Sequence, residues 1–98
     1  SLVKLDHRQV WKEWREVIFL SVKRKLRGPP PKPEDDRSKV IWKVENVLLE
    51  LGLRPEEVLC VCRESPWNKF GRSRRGEGYL WKDICKCARA KGIEIEET

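Results

Sequence analysis

Ser38-Lys39-Val40-Ile41-Trp42-Lys43-Val44-Glu45-Asn46-Val47-Leu48-Leu49-Glu50-Leu51-Gly52 is the stretch that decides the fold class. Val40, Ile41, Val44, Val47, Leu48 and Leu51 recur at the 3.6-residue period of a helix with one buried face, not at the two-residue period of a strand. Gly52 supplies a residue that can take the left-handed conformation with which helices often end. A helix over about 38–51 is therefore expected.

Going toward the C-terminus, Pro55 with Glu56 and Glu57 behind it has the chemistry of a helix first turn. The helix it opens carries Val58, Leu59, Val61 and Cys62 inward and ends before Pro66, with Cys60 expected to point away. Next comes the turn Ser65-Pro66-Trp67-Asn68-Lys69-Phe70-Gly71-Arg72, then a loop over 73–78. A further helix, from about 79 to 91, has Leu80, Trp81, Ile84 and Ala88 on one face and Gly92 as its stop. The tail 93–98 alternates Ile and Glu and reads as a short strand or a frayed end.

Toward the N-terminus, Asp6 is a candidate N-cap. Val10, Trp11, Trp14, Val17, Ile18 and Val22 mark one apolar face of a single helix ending in the basic turn Lys23, Arg24, Lys25 and Arg27, which suits the negative end of the helix dipole. Gly28 and the prolines 29, 30, 31 and 33 stop it, and the acidic Glu34, Asp35 and Asp36 favour the start of the next helix. The expected layout is an N-terminal amphipathic helix over 1–28, a proline-rich spacer over 29–36 and a compact helical unit over 37–98, one domain overall. The fold class is all-α, a small bundle of four to five helices.

Charged residues make up 39% of the chain and apolar ones 39%. Such a balance means either disorder or long solvated helices, and the helical spacing together with five Trp decides for helices. Apolar runs such as 17–20 are far too short to span a membrane, and no signal-peptide pattern is present, so a cytoplasmic protein without a membrane partner is expected. Ser at position 1 and the absence of Met suggest a piece of a longer protein.

The net charge of +6 is concentrated. Between residues 69 and 91, Lys69, Arg72, Arg74, Arg75, Lys82, Lys86, Arg89 and Lys91 face only Glu77 and Asp83, so that window carries the whole excess. One-sided positive charge is the footprint of a phosphate binder. Within it Trp67, Phe70, Tyr79 and Trp81 alternate with Lys69, Arg72, Arg74 and Arg75. Cations neutralise phosphates while aromatic faces stack on unpaired bases, at about 1–3 kcal/mol per base. The candidate nucleic-acid contacts are thus Lys69, Arg72, Arg74, Arg75, Trp67, Lys82 and Lys86, although Trp81 and Phe70 also suit core positions. A double-strand-binding helix-turn-helix regulator, with the last helix in the major groove, is the alternative binding mode, and a protein–protein adaptor with a basic face is the alternative function.

Cys60, Cys62, Cys85 and Cys87 form C-x-C pairs inside predicted helices, where i and i+2 lie about 200° apart. Two such thiolates do not converge on a tetrahedral ion, so no metal site is expected. One thiol of each pair could meet across a helix contact, Cys62 with Cys87 first; in a cytosolic protein that disulfide would point to a thermophile. His7, the only histidine, has no Cys, Ser or metal-ligand partner in sequence, and Gly71, Gly76 and Gly78 lack the phosphate-loop spacing. No catalytic residue is expected in this chain by itself.

Arg37-Ser38-Lys39-Val40-Ile41-Trp42, Leu51-Gly52-Leu53 with Pro55-Glu56-Glu57-Val58, Ser65-Pro66-Trp67-Asn68-Lys69-Phe70 and Leu80-Trp81 together resemble the helix-bundle accessory domain of replication proteins of archaeal plasmids and phages, next to primase–polymerase domains. The resemblance covers about 36–91. It implies binding of single-stranded template DNA beside a catalytic domain of the same parent chain, with a nucleotide such as ATP as a further contact, and it carries over no catalytic carboxylate.

Overall fold

The computed structural model describes residues 4–95. Five helices and no strand occur among them: α1 (His7–Trp14), α2 (Leu20–Arg27), α3 (Arg37–Leu51), α4 (Pro55–Arg63) and α5 (Arg74–Ala90). The expected all-α bundle is what forms. Residues 96–98, part of the tail read as a strand or frayed end, lie outside the described residues; of that tail, Ile93 donates its amide to Ala88 O and packs with Ile95 against the core.

Caps set most boundaries. Asp6 accepts the Arg8 amide, Asp36 accepts the Lys39 amide, and Gly52 ends α3 at φ 109°, a conformation in which a Cβ would be strained. Ile41, Val44 and Leu48 of α3 are buried as the spacing required, and Leu49 joins them.

α4 is the centre of the molecule. It contacts α1, α3 and α5, and Val58, Leu59, Cys60, Val61 and Cys62 are all buried. This corrects the outward placement of Cys60. A helix enclosed on several sides has no wet face, and the Cys60 thiol is covered by the N-terminal segment, 3.6 Å from Leu5 O.

The single N-terminal helix is also corrected. α1 and α2 are separate, and residues 15–19 form the elbow between them. Val10, Trp14, Ile18, Val22 and Leu26 are spaced by four, and each such step drifts about 40° around a straight helix. Four steps, about 160°, exceed what one face can bury. The elbow resets the phase, so Val10, Ile18, Val22 and Leu26 all reach the core. Val17, expected on the buried face, is exposed there with Phe19 and Leu20.

The third correction lengthens α5. It begins at Arg74, not near Tyr79, so the expected loop 73–78 is mostly its first turn. Ser73 caps it by accepting the Gly76 amide. Gly76 sits so close to the preceding turn that a Cβ would lie 2.2 Å from Phe70 O. Glycine is there because two backbones touch, and that contact outweighs its poor helix propensity.

All four cysteines are buried free thiols, and Cys62 and Cys87, the pairing that the sequence left open, are not bridged. Burial raises the pKa of Cys60 and Cys87 to about 11 and pushes that of Cys62 well above its ordinary value. Cys87 engages other partners: its thiol donates to Glu45 Oε1 and accepts from Asn46 Nδ2. Among the described residues no group of three or more His, Cys, Asp or Glu could hold a metal ion, and no helix is long and apolar enough to cross a membrane.

Candidate nucleic-acid interface

The motif Ser65-Pro66-Trp67-Asn68-Lys69-Phe70 folds as a stapled turn. Ser65 Oγ donates to Lys25 O at 2.6 Å, capping a carbonyl that the end of α2 leaves without an intrahelical partner, and it accepts the Trp67 amide. Asn68 accepts the Phe70 amide and donates to Arg63 O and Gly71 O. These bonds press Trp67 into the core at 6% exposure, with the Lys25 ammonium 4.1 Å over its ring. Its position leaves no open face on which a base could stack. Trp81 and Phe70 are half-buried against the core, the other role foreseen for them.

The remaining sequence-derived candidates are exposed, and the length of α5 determines which of them share a surface. Arg75, Tyr79, Lys82, Lys86 and Arg89 follow at i, i+4, i+7, i+11 and i+14, so all project from the outer face of α5 within about 40° of one line. The stripe is about 21 Å long at 1.5 Å per residue. The two acidic residues of α5 turn away from it: Glu77 is buried with Arg63 Nε at 2.6 Å, and Asp83 turns toward Glu45.

At its N-terminal end the stripe carries an aromatic cluster. Arg75 Nε donates to the Tyr79 hydroxyl at 3.3 Å, and the Arg75 and Lys82 cations lie 5.8 and 5.9 Å from the Tyr79 ring. Phe70 stacks on Tyr79 at 6.3 Å, and Lys69 sits 5.0 Å over Phe70 while donating to Ser38 Oγ. Tyr79 is 45% exposed. The structure thus brings Lys69, Arg75, Lys82 and Lys86 to one side of α5. Arg74 is rotated about 100° from Arg75 on the helix, and Arg72 leans on Glu64 at 3.1 Å.

Tyr79 and Arg89 were not among the sequence-derived candidates. Their period with Lys82 and Lys86 lay inside the expected helix 79–91, and the extension of α5 to Arg74 adds Arg75 to it. Comparison with protein-family models, with curated proteins and with solved structures finds no match to this chain.

Proposed function

We propose that this chain is a nucleic-acid-binding module that holds single-stranded template DNA along the outer face of α5, as an accessory domain beside the catalytic domain of a replication primase or polymerase. The observation that carries the binding reading is the stripe Arg75, Tyr79, Lys82, Lys86 and Arg89, cationic at successive helical turns. Cations at this spacing meet successive phosphates, and the half-exposed Tyr79 supplies a stacking platform in place of the buried Trp67. The accessory role rests on the resemblance of the motifs at 36–91. His7 is set among Arg27, Glu64, Asp6 and Arg72, and among the described residues no three His, Cys, Asp or Glu are placed to hold a metal ion.

The test is fluorescence anisotropy with single-stranded and duplex oligonucleotides at several salt concentrations. Removing one phosphate-binding cation should reduce the single-strand salt slope by about 0.7. Lys82→Ala with Lys86→Ala should therefore flatten it by about 1.4 units, similarly for every base sequence. Tyr79→Ala should weaken binding with little change of slope, because stacking releases few ions. An unchanged slope in the double-lysine variant would refute α5 as the interface.

A second reading has its own observation. The stripe stands on the exposed face of one 17-residue helix, and a helix face of this kind can enter a major groove. Equal or tighter binding of duplex would select that reading.

A further inference from the structure

A cleft of about 530 Å³ opens where the start of α1, the end of α2 and the turn after α4 meet, lined by His7, Leu26, Arg27, Gly28, Glu64 and Pro66. Two of its side chains are set in place. The Arg27 guanidinium lies over Trp11, 4.4 Å from the ring centroid, and His7 stacks parallel to the same indole, with centroids 6.4 Å apart. Arg27 Nη2 is 3.4 Å from His7 Nδ1. A guanidinium only donates, so Nδ1 is the acceptor and the imidazole proton sits on Nε2. Arg72, an exposed side chain, reaches the rim of the cleft through its bond to Glu64 and brings a second guanidinium there.

We propose that this cleft seats a phosphate monoester, the terminal phosphate of a strand whose body lies along α5. A monoester presents three oxygens and up to two negative charges, matching two guanidinium forks and one imidazole. A phosphodiester carries a single charge and no free end, which suits the open stripe instead. The cleft's one carboxylate, Glu64, is shared between Arg63 at 3.4 Å and Arg72 at 3.1 Å, and a phosphate displaces it from Arg72. Arg72 stands three residues before Arg75, the first cation of the stripe, so one short segment serves both surfaces. The strand end as source rests on the nucleic-acid reading above; the phosphate chemistry of the cleft does not.

The cleft's own groups favour the neutral form of His7. Burial first, then the Arg27 charge and more weakly that of Arg72, lower its pKa, against the opposing pull of Glu64 and Asp6. A bound dianion reverses the balance by pairing with the protonated ring. His7 is the only histidine, so its imidazole proton resonances report this directly.

The experiment titrates His7 by NMR in the whole chain, with and without inorganic phosphate, and compares oligonucleotides bearing 5′-phosphate, 3′-phosphate or only hydroxyl ends. Phosphate should raise the His7 pKa by about one unit, and one phosphorylated end should bind about tenfold tighter than the hydroxyl end. Arg72→Gln, a change at an exposed side chain, should remove most of both effects while leaving the chain folded. A His7 pKa that ignores phosphate overturns the site, even if strands bind α5. A phosphate-dependent His7 with no strand binding keeps the site, assigns it to free phosphate and sinks the nucleic-acid reading alone.

Discussion

Replacing Glu45 by Gln addresses the least comfortable group in the core. Glu45 is fully buried on α3, facing α5. One oxygen accepts the Cys87 thiol, whereas Oε2 meets no donor. Burial, then a hydrogen bond with Asp83 and the Asp83 charge, push its pKa up to about 9 from an ordinary 4.5. At neutral pH the folded chain therefore keeps a proton on Glu45, given to Asp83, that the unfolded chain has released. The stability tied to this proton is complete below pH 4.5 and drains away as pH rises toward 9. Each unit in that window is worth about 1.4 kcal/mol, so the ceiling at pH 7.5 is about 4 kcal/mol. A Gln amide can donate to Asp83 and accept from Cys87 without needing a proton. Glu45→Gln should thus match the parent near pH 4.5 and exceed it by about 2–4 kcal/mol at pH 7.5, or roughly 10–30 °C in Tm. Urea unfolding followed by Trp fluorescence at pH 5, 7 and 9 measures the difference between the two chains, which isolates this carboxyl. A variant less stable than the parent at pH 7 to 9 would mean that Glu45 is ionised and well paired in the fold, and the reasoning would be wrong.

Two glycines of α5 make a matched pair. Gly76→Ala must drive a Cβ against Phe70 O and should cost about 2 kcal/mol or more, whereas nothing lies within 4 Å of a Cβ at Gly78, where Ala should gain about 1 kcal/mol by helix propensity; denaturant midpoints read both. Trp14→Phe removes the indole donor 2.6 Å from Glu57 Oε2 and should cost about 1–3 kcal/mol. Burial alone would raise the Glu57 pKa, but the Arg54 amide, the Trp14 indole and the Arg54 guanidinium outweigh it and hold it below 4.5. The stability from that lowering is present above 4.5 and lost as pH falls through the folded value, so the parent's acid-unfolding midpoint should lie below that of the Trp14→Phe chain. The four thiols should resist a disulfide reagent in the native chain and all react on unfolding; a fast native thiol would contradict their burial, and at Cys60, Cys62 or Cys87 the raised pKa as well.

Local chemistry was legible wherever one short segment holds both cause and effect. The stripe of α3, the caps Asp6 and Asp36, the stop at Gly52 and the first turn at Pro55 each depend on residues within a turn or two of each other, so the sequence alone determined them. So did the concentration of positive charge after residue 69. The enclosure of α4 was half-legible, in the unbroken apolar run 58–62 that leaves no polar face. Other features exist only through contacts between distant segments. The elbow at 15–19 forms because α1 packs on α4 and α2 on α3, so one straight helix would miss part of the core. α5 runs through Gly76 because the backbone of Phe70 lies against it, and that extension aligns Arg75 with Lys82 and Lys86. Glu57 meets a tryptophan 43 residues away and Glu77 is held by Arg63 of α4, while His7 faces Arg27 from another helix. Periodicity reports which face of an element is dry; which element dries it, and which charge meets which, is set by tertiary packing.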